Sequence, residues 1–164
     1  RIMEFGLLAI FLIHIINAIR LTIYNRTVAS EKYSGTNISS TSSINSRTMA
    51  ISGTIILFFI IIHLRYLWYT YQAHTFLDSE TYYDVILRDQ WGYLGHTATS
   101  FFYIVSIFFI GFHLKHGFQS ALKTFGVSEK SNLGIFFKIS ILFWGIIPAL
   151  FIIIIFAIQL GYIQ

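Results

Sequence analysis

Residues 53–68 read GTIILFFIIIHLRYLW, an apolar run with a histidine near its end. With its flanks the run covers about 47–71, enough for a membrane helix, which needs about 20 predominantly apolar residues. Two other runs share the pattern. Residues 6–21, GLLAIFLIHIINAIRL, contain His14, and residues 101–117, FFYIVSIFFIGFHLKHG, contain His113. An ionisable ring at membrane depth is costly, so it usually has a job and a partner inside the bundle. Neutral imidazole is a good ligand for iron. Histidines on separate membrane helices therefore read first as axial ligands of haem b, which makes electron transfer the leading idea.

Four spans are expected, over about 4–25, 47–71, 95–121 and 133–160. The fold class that follows is all-α, an integral membrane helical bundle with residues 1–164 as one haem-binding domain. The fourth span holds Pro148, the only proline, and is expected to tilt or kink there. The composition agrees. Hydrophobic residues make up 55% of the chain and charged ones only 11%, against about 25% charged in an ordinary soluble domain. With no cysteine, the chain can form no disulfide, thiolate zinc site or cysteine-held iron–sulfur cluster. Any such cluster must belong to a partner chain. The sequence shows no nucleic-acid motif.

The connections differ in charge. The first contains Arg26 and Lys32 and ends at Arg47, and the third contains Lys123 and Lys130. The second carries Asp78, Glu80, Asp84 and Asp89 against the single arginine Arg88. The positive-inside rule places the first and third connections in the cytoplasm and the second outside. The loop YSGTNISSTSSINS, residues 33–46, reads as a flexible connection or a docking strip. The chain starts at Arg1 without a signal peptide, and an N-terminal piece upstream of it is expected.

Depth sorts the histidines into two layers. His14 lies six residues before Arg20, and His113 two before Lys115, each on a span that runs inward. Both fall in the middle-to-inner part of the bilayer and can pair across one haem. His63 lies sixteen residues beyond Arg47 on a span that runs outward. At 1.5 Å per residue that is about 24 Å from the inner surface, in a separate outer layer. Residue i+4 sits almost directly below residue i on a helix. That position is Ala18 for His14 and Gly117 for His113, which leaves room for a flat porphyrin, whereas His116 has Ser120 there. His116 remains a rival ligand for the inner haem. His74 and His96 lie at or beyond span ends and read as solvated. The partner of His63 is expected on a span upstream of this sequence.

The motifs FLIHIINA (11–18), FIIIHL (59–64) and GFHLKHGFQS (111–120) resemble the dihaem cytochrome b membrane anchor of succinate dehydrogenase and fumarate reductase, in its single-chain form with five spans. The resemblance covers nearly all of the chain, as spans two to five. It implies His14 with His113 on an inner haem and His63 on an outer one, the latter completed by a histidine on the first of five spans. The last span has no histidine, as in the family. Two haems b and a quinone, with menaquinone expected, are the implied cofactors. A flavoprotein and an iron–sulfur subunit are the implied partners, docked on the cytoplasmic face and able to assemble into a higher oligomer of the complex. The implied location is the bacterial cytoplasmic membrane. A haem-free structural or assembly subunit is the alternative, with a self-contained transmembrane reductase behind it.

Other residues carry a sharp reading and an ordinary one. Arg47, Arg65 and Lys123 are candidates for haem propionates through charge-assisted hydrogen bonds, while snorkelling to the interface is the ordinary role of any single basic residue. Glu4 is a candidate for proton exchange with quinol near the outer haem. Its ordinary role is that of a carboxylate at a helix N-terminus. Trp68, Trp91 and the tyrosines at span ends suit an aromatic belt.

Overall fold

The computed structural model describes residues 2–32, 44–73, 79–127 and 135–163. All regular structure among them is helical. In order the elements are α1 (Ile2–Lys32), α2 (Ile44–His63), a π turn (Leu64–Trp68), α3 (Tyr69–Gln72), α4 (Tyr82–Leu87), α5 (Thr97–Thr124), α6 (Ile135–Ile141), a second π turn (Leu142–Ile146) and α7 (Ile147–Gln159). Four stretches are long and apolar enough to cross a membrane: Ile2–Asn25, Thr48–Gln72, Thr97–Thr124 and Ile135–Gln159. They coincide with the expected spans to within three residues. The protein is an all-α, multi-pass membrane bundle. His74, Asp78, Lys130 and most of the serine-rich loop lie outside the described residues.

The chain forms two compact units, residues 1–50 and 51–164. In the first, α1 displays an exposed apolar surface from Ile2 to Tyr24, which suits contact with lipid or other helices. In the second, α5 carries a buried stripe of Thr99, Ser100, Tyr103, Ser106, Ile107 and Gly111. Most of these side chains are small or polar. Membrane helices associate through close van der Waals packing rather than a hydrophobic drive, so such residues gather at their contacts. Pro148 and Ile155 are the buried residues of α7.

Pro148 explains the π turn within the fourth span. Proline has no N–H to offer the carbonyl four residues back, here that of Trp144. The chain responds with the π turn Leu142–Ile146 immediately before it, in which Ile147 N–H reaches Leu142 O. The Trp144 carbonyl faces the third span at Gly111, where a β-carbon would stand 2.7 Å from the oxygen. Glycine at 111 therefore sets how closely these helices approach. A second π turn follows His63 and is closed by Tyr69 N–H to Leu64 O. Single π turns inside α-helices occur often at functional sites.

The connection from Glu80 to His96 is built into the fold. Thr81 caps α4 in a reciprocal capping box with Asp84. Arg88 grips Glu80 with its guanidinium fork, Nε lying 2.7 Å from Oε1 and Nη2 pairing with Oε2. Its Nη1 donates to Tyr93 Oη at 3.1 Å, and that phenol lies 3.4 Å from Thr70 Oγ1 on α3. Gly92 has φ of +101°, and a β-carbon there would strike the Tyr66 ring, so both backbone and space demand glycine. Gln159 at the end of α7 donates to Leu94 O at 2.8 Å and to Gly95 O at 3.1 Å. The ends of the second, third and fourth spans are thereby tied together.

Candidate functional site: two histidines on one helix pair

The second and third spans run side by side in opposite directions and meet through side chains at two levels. At one level, Ser52 Oγ lies 3.1 Å from His113 Nδ1, and a β-carbon on Gly53 would stand 3.6 Å from His113 Cε1. A small pair, Ser52 and Gly53, thus seats the imidazole against α2. At the other level, His63 stacks on Phe59 with ring centroids 5.5 Å apart and lies 6.2 Å from the ring of Tyr103. Eleven residues separate Ser52 from His63, and ten separate Tyr103 from His113. At 1.5 Å per residue the two levels stand about 15 Å apart along the helices.

The two rings differ in environment. His113 is half-buried with Nδ1 at a hydroxyl. His63 is also half-buried, but its Nδ1 is enclosed and has no hydrogen-bond partner among the described residues. Tyr103 is nearly fully buried, and its hydroxyl stands in the same condition. One imidazole at each level is chemically able to serve as one axial ligand of a haem iron. A metal-bound imidazole carries a proton on its other nitrogen and donates it to an oxygen, which fixes tautomer and ring orientation. Ser52 Oγ stands at that position for His113. The enclosed Nδ1 of His63 is the kind of atom that gains from being such a donor. Among the described residues no cluster of three or more histidine or acidic side chains gathers as for a metal ion held by protein alone. Haem needs no such cluster, because the porphyrin supplies the equatorial ligands.

His14 lies midway along the first membrane stretch with an exposed side chain. His116 is half-buried on α5, three residues beyond His113. Arg65 is exposed, and its guanidinium carbon lies 5.5 Å from the centre of the Tyr66 ring and 5.1 Å from that of Tyr69. This cation–aromatic contact matches its ordinary interfacial role. Lys123 is exposed in the last turn of α5, and Glu4 is exposed in the first turn of α1. Arg47 lies on α2, with its side chain outside what is described. His96 is half-buried rather than freely solvated, with Nδ1 3.4 Å from Thr99 Oγ1 and its ring edge-on to Trp91. Residue reading missed Ser52 and Tyr103. The signal for Ser52 was present, since a Ser-Gly pair inside an apolar span marks a close helix contact. A scan of family models and searches of curated proteins and of solved structures each returned no match.

Proposed function

We propose that this chain is the haem b-carrying membrane-anchor subunit of a succinate:quinone oxidoreductase, working as succinate dehydrogenase or fumarate reductase in the bacterial cytoplasmic membrane. The observation that carries the reading is the arrangement of His113 and His63 at two levels of one antiparallel helix pair. His113 and His14 would hold an inner haem. His63 would hold an outer one together with a histidine outside this sequence. When bound, the haems supply one-electron redox chemistry between the partner iron–sulfur subunit and a membrane quinone. The protein's part is to place the imidazoles, fix their tautomers and exclude water. With haem bound, Ser52 would do this for His113 by accepting from Nδ1–H at 3.1 Å, which would leave Nε2 for the iron. The apolar walls of the spans keep the site dry. Glu4 is the candidate for proton exchange with quinol, and Arg47, Arg65 and Lys123 are those for propionates. The flavoprotein and iron–sulfur subunits would carry the dicarboxylate chemistry.

The Ser52–His113 bond would equally serve a haem-free anchor, where it would simply join two helices. Isolation of the chain from its native membrane through a terminal tag separates the two. The proposal predicts co-isolated flavin and iron–sulfur subunits, and haem b that is reduced when succinate or a quinol is added. A complex with those subunits but no haem would establish the haem-free anchor. Haem without flavin would point to a self-contained reductase.

A further inference from the structure

His63 Nδ1 and Tyr103 Oη are the two buried side-chain polar atoms without a hydrogen-bond partner among the described residues, and they belong to neighbouring rings. An unsatisfied buried polar group costs about 1–3 kcal/mol. Two of them side by side on facing helices are better explained by a shared function than by two unrelated defects. Phe59 closes one side, edge-on to Tyr103 with ring centroids 5.0 Å apart and stacked on His63. The nearby hydroxyl of Ser106 is committed to Phe102 O on its own helix at 2.8 Å.

We propose that Tyr103 is a positioning residue for His63, its hydroxyl accepting from Nδ1–H directly after a small ring rotation, or through one bridging water that accepts from Nδ1–H and donates to Oη. The inference rests on the haem reading of His63 and deepens it. With iron on Nε2, the ring proton must sit on Nδ1, where a buried donor requires an oxygen. Ring centroids 6.2 Å apart make the two rings neighbours, and a water between their polar atoms would serve as the bridge. Such a bond raises the basicity of the ligating nitrogen and so favours ferric over ferrous iron. The hydroxyl of Ser52 already lies 3.1 Å from His113 Nδ1, so each level would have its own oxygen on α2 or α5.

The test is a redox titration of the full-length protein isolated from its membrane, comparing wild type, Tyr103→Phe and Phe59→Leu. Tyr103→Phe should keep both haems and raise the outer potential by about 59 mV, a tenfold change for a one-electron couple. The inner haem should not move. Phe59→Leu disturbs the packing of His63 but removes no oxygen, and should leave the potential near wild type. An unmoved outer potential in Tyr103→Phe, with both haems bound, would overturn the role of Tyr103 and leave the haem reading intact. Equal shifts in Tyr103→Phe and Phe59→Leu would also overturn it, since packing alone would then suffice. If Tyr103→Phe loses both haems by misfolding, 3-fluorotyrosine at 103 keeps the shape and weakens the acceptor. It should raise the outer potential, and no shift would again overturn the proposal. Wild-type protein without haem at His63 would overturn both this inference and the reading beneath it.

Discussion

At Ser52 a single hydroxyl oxygen sits 3.1 Å from a ring nitrogen of His113, and this contact gives the inner site its sharpest residue-scale prediction. Ser52→Ala removes the acceptor and leaves the helix intact. It should retain the inner haem but raise its potential, by up to about tenfold in the redox equilibrium. The outer haem should be unaffected. A redox titration resolving the two components checks this. His113→Ala should abolish the inner component, whereas His116→Ala should leave it, and reduced-minus-oxidised spectra distinguish the two. The histidines were legible in the sequence because an ionisable group inside an apolar run stands out against its neighbours. Ser52 was visible only as half of a small-residue pair, and neither its partner nor Tyr103 was legible, because spacing along one chain does not reveal which residue on the next helix lies at the same height. His96 stands at the start of the third span, and the structure adds its neighbours Thr99 and Trp91.

Helices and connections carry their own predictions. Gly111 meets the carbonyl that Pro148 leaves without its usual donor. Gly111→Val would force the third and fourth spans apart, and overpacking of this kind costs about 1–3 kcal/mol. Thermal unfolding in detergent should register the loss, and Pro148→Ala should lessen it by letting the helix draw that carbonyl back. In the connection, Arg88 and Glu80 are largely enclosed, with 17% and 10% of their side-chain surface exposed. Removing one member of such a pair strands the other, at a cost of about 3 kcal/mol. Arg88→Met should therefore make residues 79–96 sensitive to proteases, while Arg88→Met with Glu80→Leu should restore much of the resistance.

Asp84 makes the same connection sensitive to acid. Hydrogen bonds from the Thr81 side chain, and then from its backbone, hold the Asp84 carboxyl below its usual range. A depressed carboxyl stabilises the folded state above its unfolded value, about 3.9, and that contribution is lost as the pH falls through the folded value. Amide exchange over Thr81–Leu87 should accelerate below about pH 4, and Asp84→Asn should remove most of that dependence. The spans were readable to within three residues because bilayer thickness dictates their length. The clamp was not, because the sequence shows its charges but not which of them meet. Pro148 marked the fourth span as irregular, and the structure shows a π turn before it.

For the whole molecule, orientation and cofactor are linked. If the basic first and third connections are inside, as the positive-inside rule predicts, the level of Ser52 and His113 would lie toward the cytoplasm and that of His63 and Tyr103 toward the outside. A Ser42→Cys variant, at a position outside the described residues, should resist impermeant thiol reagents in intact cells and react after lysis. Reaction in intact cells would invert the scheme and with it the assignment of inner and outer haem. The account depends most on whether the chain binds haem at all. The direct measurement is a reduced-minus-oxidised visible spectrum of the protein extracted from its native membrane, with haem quantified per chain. The account predicts the band of low-spin, bis-imidazole haem b at two haems per full-length protein, reduced by about half in His63→Ala. A protein that folds, carries its partners and shows no haem would contradict it.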